Sequence, residues 1–244
     1  MTRPNRLTVP VCNPESLKPD LDEVGLVSAP EKIFDAVKFA SFLNNCFSEA
    51  PDLKIFRDNA VAELRRIRNA GMDEIASSFL QDPLAAEKAI RSYTWLTDCL
   101  VKSVWNISKI WLHPVPNPTQ AEKLSLIAVG GYGRKEMAPY SDVDLLFLTP
   151  YKITPWAESV IETILYILWD LKLKIGHSSR TINDCLRLGK EDYTIRTALL
   201  EQRLVDGDHA TAKELEKRLW SELFNLTAKD FISAKLQERE LRHE

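Results

Sequence analysis

The sequence has few of the residues and segments that define several protein classes. Its 244 residues contain only four cysteines, which lie far apart and form no Cys-x-x-Cys pair. We therefore expect neither a disulfide framework nor a zinc site. The simplest interpretation is that the thiols are reduced, as they are in a cytoplasm. The net charge is only -3, without the large positive excess that is typical of proteins that coat nucleic acids or anionic membranes.

Long hydrophobic runs are also absent. No segment approaches the ~18 consecutive apolar residues that a bilayer-spanning helix needs. The first twelve residues contain two arginines and two prolines but no apolar core of a secretory signal. Because 45% of residues are hydrophobic and 27% are charged, the composition is that of an ordinary globular protein. We expect a cytoplasmic protein that binds neither nucleic acid nor membrane.

Proline content and hydrophobic periodicity divide the chain into segments. Five of the thirteen prolines fall within residues 1–30, which predicts an extended or disordered tail. Residues 31–112 have apolar positions at helical spacing and predict three or four amphipathic helices. A proline-rich boundary follows at 113–118. We expect the core at 119–190 and a C-terminal helical region at 191–244, which is truncated within a charged helical run.

The core segment alternates between strand and helix patterns. Short apolar runs at 124–129 and 143–148 predict strands, and Thr154 with Pro155 predicts the start of a helix. A third strand is expected at 173–181. A short helix is predicted next, with Asn183 as its cap and Gly189 as its stop. This order indicates an α+β or α/β core flanked by helices.

An Asp-x-Asp pattern opens the second predicted strand. Residues i and i+2 of a strand share one face, so Asp142 and Asp144 project together. Two adjacent carboxylates repel each other and are costly to bury, whereas a bound divalent cation such as Mg²⁺ or Mn²⁺ resolves the conflict. Taken alone, the pattern is weak and favours two aspartates that merely cap the strand in solvent.

Glycine is scarce, but three of the eight glycines lie within residues 130–133. Gly131 precedes Asp142, the first aspartate of the pattern, by eleven positions. A strand that ends in Gly130 and Gly131 presents free N–H groups that suit phosphate oxygens, and Arg134 can add positive charge. The alternative is a tight turn that requires positive φ. The P-loop pattern is absent, and Glu136 replaces the third glycine of the dinucleotide fingerprint. The combination predicts a phosphate cradle beside a metal-binding carboxylate pair.

The string from Val129 to Leu148 resembles the N-terminal transferase domain of the bacterial bifunctional uridylyltransferase/uridylyl-removing enzymes, which are DNA polymerase beta-like nucleotidyltransferases. Lys135 and Met137 replace the glycine and leucine expected there. Residues 176–181 and 197–204 are similar to the same family. The resemblance implies an α+β fold, with a polymerase-beta-like core of a small mixed sheet and helices.

The resemblance also implies an activity. Members of this family transfer UMP from UTP to a tyrosine of the PII signalling protein with Mg²⁺ or Mn²⁺, and they release pyrophosphate. On this sequence, Asp142 and Asp144 are the implied catalytic metal ligands. Gly130 and Gly131 are the implied phosphate-binding residues. Ser141 or Arg134 is implied to assist them.

A third metal-binding carboxylate, which many relatives in the superfamily have, is not identified in the sequence. The third predicted strand contains no acidic residue, and Asp170 and Glu201 are unsupported candidates. His177, Ser178 and Arg180 on that strand either contact the triphosphate or base, or face solvent.

Other functions stay open from the sequence alone. The hydrolase and glutamine-sensing domains of the resembled family have no counterpart in these residues, so we expect a fragment of such an enzyme. A nucleotidyltransferase for another nucleotide or acceptor has the same signature, because a fold does not determine its substrate. The third possibility is a nucleotide-binding or partner-binding fragment without turnover.

Overall fold

The computed structural model describes residues 10–20 and 25–241 and contains a four-stranded sheet. Its strands are β1 (Ser125–Ala128), β2 (Val143–Thr149), β3 (Ile175–Thr181) and β4 (Arg203–Gly207), in the order β3-β2-β1-β4. The β2–β3 pair is parallel, and β1 pairs antiparallel with both β2 and β4. The small mixed sheet with flanking helices confirms the predicted α+β fold.

Helices precede the sheet along the chain. They are α1 (Pro30–Ile33), α2 (Ala36–Glu49), α3 (Leu53–Gln81) and α4 (Ala86–Asn106), and α4 continues as a π-helical segment (Ile107–Leu112). Asp35 and Asp52 accept hydrogen bonds from the first-turn N–H groups of α2 and α3, which satisfies donors that have no partner within the helix.

The remaining helices surround the strands. They are α5 (Gly130–Gly133), α6 (Pro155–Asp170), α7 (Ile182–Glu191), α8 (Tyr193–Leu200), α9 (His209–Leu219), a π-helical segment (Trp220–Phe224) and α10 (Asn225–Leu241). Helix α6 begins with Thr154 as its cap and Pro155 at its first position, as predicted. Within the residues that the structure describes, no helix is both long and apolar enough to cross a membrane.

Strand β2 is buried because both of its faces are covered by other parts of the chain. Val143, Leu145 and Phe147 face the larger hydrophobic cluster, which α4 and α6 also line. Leu146 faces the smaller cluster on the side of α7, α8 and α9. Since side chains alternate along a strand, Asp144 points to the same side as Leu146. The sheet thus directs Asp144 toward α7 and α8.

The helix after β3 begins earlier than predicted. Thr181, not Asn183, is the N-cap of α7, and it exchanges hydrogen bonds with Asp184 in a capping box. Gly189 does not end the helix, which continues to Glu191. A Cβ atom at Gly189 would lie 2.8 Å from Leu223 Cδ2, so glycine here permits close helix packing. The predicted cap and stop were both wrong by two residues.

Strand β4 lies in a region that the sequence predicted to be helical. It pairs with β1 at one edge of the sheet, and only Val205 among its residues is fully buried. The sequence analysis assigned no strand to this segment, because Arg203 and Asp206 give it the mixed charge of the surface helices around it. Its strand state arises from pairing with β1, which local periodicity does not report.

The predicted N-terminal tail lies partly outside the described residues, which exclude 1–9 and 21–24. Pro14–Leu17 forms a 3₁₀ turn, and Leu17 and Cys12 are buried in the larger cluster. Cys12 N–H donates a hydrogen bond to Asn44 Oδ1 on α2 at 2.8 Å. This differs from the expected extended tail because two apolar side chains anchor the segment.

All four cysteines are buried, and none of them forms a disulfide bond in the described part of the chain. Burial raises the pKa of Cys185 to about 12 and the pKa of Cys12 to about 11. Because the thiolate is the reactive form, we expect no labelling of the native protein by a thiol reagent at pH 8 within minutes, and full labelling of four thiols in guanidinium chloride. Rapid labelling of Cys185 in the native state would contradict this packing.

Candidate active site

Two aspartates meet at the beginning of β2. Asp142 is exposed immediately before the strand, and Asp144 is half-buried as the second strand residue. The pKa of the Asp144 carboxyl is raised, first by burial and then by the negative charge of Asp142. The structure therefore brings the two carboxylates close enough to repel each other, which is the arrangement that the strand alternation predicted.

Two glycines enclose the Asp144 carboxylate. A Cβ atom at Gly130 would lie 3.3 Å from Asp144 Oδ2, and a Cβ atom at Gly176 would overlap Oδ1. Gly176 is the parallel-ladder partner of Asp144 on β3. The sequence analysis did not identify Gly176 as a site residue, although an isolated glycine within a strand indicates a close approach of another group. The lack of a side chain at both glycines leaves room for the carboxylate between them.

The Gly-Gly turn forms one short helical turn, α5, directly beside these acids. Val129 N–H donates to the backbone oxygen of Asp144 at 3.1 Å, which fixes the start of the turn next to β2. Gly130 has φ of +61°, a conformation that side chains other than glycine rarely adopt. The first N–H groups of a helical turn have no partner within it, so those of Gly130 and Gly131 remain available to an acceptor.

Arg134 follows the turn but is already paired. Its guanidinium contacts Glu136 Oε2 at 2.8 Å and Glu201 Oε2 at 2.7 Å. Glu201, one candidate for a third metal ligand, thus neutralises Arg134. The other candidate, Asp170, contacts Arg57 on α3 at 2.7 Å instead of the site acids. Across residues 10–20 and 25–241, no three or more His, Cys, Asp or Glu side chains are arranged to hold a metal ion.

Ser141 shapes the turn that precedes the acids. Its Oγ accepts a hydrogen bond from Ala138 N–H at 3.0 Å, and its own N–H donates to Ala138 O at 3.1 Å. The hydroxyl is therefore engaged within the loop, next to Asp142. This position supports a role for Ser141 in holding the entry into β2.

A buried ion pair lies beneath the Gly-Gly turn. The Arg203 guanidinium makes two hydrogen bonds of 3.0 Å to the Asp98 carboxylate on α4 and a third of 3.3 Å to Tyr132 O. Arg203 also lies 5.3 Å from the centre of the Tyr132 ring. The Asp98 side chain is 1% exposed and that of Arg203 is 16% exposed. These contacts connect α4 and β4 to the middle of the turn.

The sequence analysis missed this ion pair. Burial, and then the charge of Asp98, hold the pKa of Tyr132 well above its usual value, so the phenol stays neutral inside the core. Gly133 lies so close to the α8–β4 connection that a Cβ atom there would overlap Glu201 O. The one available signal was an acidic residue, Asp98, within the apolar positions of α4. A buried acid predicts a basic partner but does not identify it.

A cavity of about 160 Å³ lies on the same side of the sheet as Asp144. Leu146 of β2, Ser178 and Arg180 of β3, Thr194 of α8 and Val129 line it. Ser178 and Arg180 alternate with Gly176 along β3 and so share its face. His177 points the other way, is exposed, and lies 6.2 Å from the Trp169 ring. The structure therefore separates His177 from the other two candidates.

Comparisons with known proteins identify similar sequences. The family model described as glutamate-ammonia ligase adenylyltransferase matches residues 15–172, which is more than half of the chain. A bifunctional uridylyltransferase/uridylyl-removing enzyme of Ruegeria pomeroyi is 54% identical over 86% of this chain and 23% of the relative. A protein of the same name from Cereibacter sphaeroides is 51% identical over 90% of this chain. Another from Azospirillum brasilense is 40% identical over 92% of this chain. In both cases the match covers 24% of the relative's length.

The matched region includes the Gly-Gly turn and both aspartates of β2. The chain spans about a quarter of the length of these curated relatives. The resemblance predicted from residues 129–148 is confirmed by relatives that bear the same enzyme name. The chain belongs to the nucleotidyltransferase family that the glutamate-ammonia ligase adenylyltransferase model describes.

Proposed function

We propose that this chain carries the transferase site of an enzyme that moves UMP from UTP to a tyrosine hydroxyl of a PII-type signalling protein and releases pyrophosphate. The observation that carries the proposal is the pair Asp142 and Asp144 beside the Gly-Gly turn, with the Asp144 carboxylate between Gly130 and Gly176. The names of the relatives that match most of the chain support uridylyl transfer.

The donor chemistry of the two acids fits a divalent metal. Both groups offer carboxylate oxygens, which Mg²⁺ and Mn²⁺ prefer, and a bound cation would offset the burial and the charge of Asp142 that raise the pKa of Asp144. We propose that Asp142 and Asp144 hold the metal. When bound, it would supply charge neutralisation at the phosphates and would favour ionisation of the acceptor hydroxyl.

The chain's own residues bind and orient the nucleotide in this proposal. The N–H groups of Gly130 and Gly131 donate to triphosphate oxygens, so the scissile phosphate lies next to the two acids. The neighbouring cavity lined by Ser178, Arg180 and Thr194 receives the nucleoside. Arg134 stays paired with Glu201 and contributes to phosphate binding only if it exchanges that partner.

Adenylyl transfer is the second candidate. It is favoured by the description of the family model, which names an adenylyltransferase and matches residues 15–172. Nothing in the chemistry of Ser178, Thr194 or Arg180 alone distinguishes uracil from adenine. The 54% identity to a protein named as a uridylyltransferase supports UTP as the first candidate.

Incubating the intact protein with a PII protein, Mg²⁺ or Mn²⁺, and labelled UTP or ATP tests the proposal. We expect UTP to label the acceptor and Asp142→Asn to lose the label. Labelling by ATP alone would establish the second candidate. Binding of UTP without labelling of any acceptor would contradict transferase activity and would indicate a nucleotide-binding protein.

Gly176→Ala provides an independent test of the site geometry. The added methyl group overlaps the Asp144 carboxylate and must displace it, while the strand keeps its ladder hydrogen bonds. Because displacements of about 1 Å can cost a hundredfold in rate, we expect kcat to fall by about that factor without loss of the folded state. Ser179→Ala, on the same strand and the opposite face, is the matched control. Equal rates for the two variants would contradict the proposed position of Asp144.

A further inference from the structure

The Gly-Gly turn ends in a motif that is typical of helix C-termini. Glu136 N–H donates a hydrogen bond to Gly131 O at 2.9 Å, and Lys135 N–H donates to Tyr132 O at 3.2 Å. This pair of hydrogen bonds, with a left-handed residue after the helical turn, is a Schellman motif. Because one of the two bonds is accepted by Gly131, the motif helps to fix the peptide groups that are proposed to bind phosphate.

Lys135 is the left-handed residue of this motif. Its φ is +66°, and the usual residue at this position is glycine, because a Cβ atom makes the conformation costly. Glycine is also the residue that the family resemblance led us to expect at position 135. A lysine in this conformation indicates that contacts from the surrounding structure hold the backbone in place.

One such contact comes from α4. Thr94 is fully buried on that helix, and its hydroxyl donates a hydrogen bond to Lys135 O at 2.9 Å. The same hydroxyl lies 3.1 Å from Ile90 O, one turn earlier in α4. The hydroxyl of Thr97, by comparison, donates to Tyr93 O of its own helix. Thr94 therefore connects α4 to the exit of the Gly-Gly turn.

The same helix also supports the middle of the turn. Arg203, which is paired with Asp98 of α4, donates a hydrogen bond to Tyr132 O at 3.3 Å. Asp98 follows Thr94 by four positions, so the two side chains lie on one face of the helix. Helix α4 thus holds the turn at two of its carbonyl groups, those of Tyr132 and Lys135.

We propose that Thr94 is a positioning residue for the nucleotide, because its hydrogen bond to Lys135 O keeps the Gly-Gly turn in the conformation that presents the N–H groups of Gly130 and Gly131 to the triphosphate. This inference rests on the proposed function. Since Thr94 is fully buried, it acts through the backbone of the turn. Loss of its hydroxyl should weaken binding of the triphosphate and leave the two metal-binding acids in place.

Thr94→Val tests the proposal, because valine has nearly the same shape as threonine but no hydroxyl. Lys135 O then loses this donor, and the loss of one buried hydrogen bond corresponds to about a tenfold weaker interaction. We therefore expect the KM for UTP to rise by about tenfold, with kcat within about threefold and the KM for PII within about twofold of the wild type. Thr94→Ser restores the hydroxyl and should keep the wild-type KM for UTP.

Two control variants separate positioning of the turn from other effects. Thr97→Val makes the same chemical change on the same helix but removes a hydrogen bond within α4 alone, so it should keep the wild-type KM for UTP. Lys135→Met removes the lysine charge and leaves the backbone oxygen, so it should also keep that KM. A rise of equal size in Thr94→Val and Thr97→Val would overturn the proposal, as would a rise in Lys135→Met with none in Thr94→Val.

Direct binding of UTP, measured by calorimetry with Mg²⁺ and without an acceptor, separates failure of this proposal from failure of the proposed function. The affinity of Thr94→Val for UTP should be about tenfold lower than that of the wild type. If the wild type binds UTP but transfers no nucleotide, the proposed function fails, and the affinity of the variant still decides the role of Thr94. An unchanged affinity would overturn that role, and a wild type that binds neither UTP nor ATP would overturn both proposals.

Discussion

Asp144→Asn should lower the rate of nucleotidyl transfer by about a hundred- to a thousandfold while the protein remains folded. Asparagine keeps the shape of the side chain between Gly130 and Gly176 but removes the charge that is proposed to hold the metal. The measurement is kcat at saturating UTP and PII. Asp230→Asn on α10, an exposed position far along the chain from the site, is the control and should keep the wild-type kcat.

The same variant should be at least as stable as the wild type. The raised pKa of Asp144 means that its ionised form is disfavoured in the folded state, first by burial and then by Asp142. Replacing the carboxylate by a neutral amide removes both costs, so the free energy of unfolding at pH 7 should not fall. A variant that loses stability and activity together, or one that keeps full kcat, would contradict the proposed role of Asp144.

Asp98→Asn should be the most destabilising single substitution near the site. It leaves the Arg203 guanidinium partly buried without a charged partner, and breaking such a pair typically costs about 3–5 kcal/mol. Arg203 retains 16% exposure, so we expect about 3 kcal/mol, which corresponds to a fall in Tm of roughly 6–12 °C for a chain of this size. Chemical denaturation measures the change directly.

Two further variants identify the cause of that loss. Glu87→Gln breaks the exposed Glu87–Arg91 pair on the same helix and should change stability by less than about 1 kcal/mol. Replacing Asp98 and Arg203 together by Leu and Met should recover stability, because two apolar groups leave no unpaired charge. The double variant should still transfer slowly, since Tyr132 O loses its hydrogen bond from Arg203. If Asp98→Asn were as stable as the wild type, the inference that the Asp98–Arg203 ion pair supports the Gly-Gly turn would be contradicted.

The sequence predicted the fold and the central acids because both are local patterns. The run 143–149, apolar except for Asp144 and Thr149, is typical of a strand covered on both faces, and Thr154 with Pro155 is a helix start by its own chemistry. The spacing of Asp142 and Asp144 determines their common face before any tertiary contact is known. These features depend on residues within a few positions of one another.

The missed features depend on residues far apart in the chain. Strand β4 pairs with β1, and Arg203 meets Asp98 across 105 positions, so neither is visible as a period or a motif. Gly176 approaches Asp144 only because the register of the parallel β2–β3 ladder aligns them. The assignment of roles to Ser141 and Arg134 stays a prediction, since both side chains make intramolecular contacts here.

The most direct test of the account is the location of Mn²⁺ and nucleotide in crystals of the intact protein with Mn²⁺ and a non-hydrolysable UTP analogue. Anomalous diffraction should place manganese within coordination distance of both Asp142 and Asp144, with triphosphate oxygens against the N–H groups of Gly130 and Gly131. Manganese bound away from these two carboxylates, or a triphosphate that does not touch the Gly-Gly turn, would contradict the account.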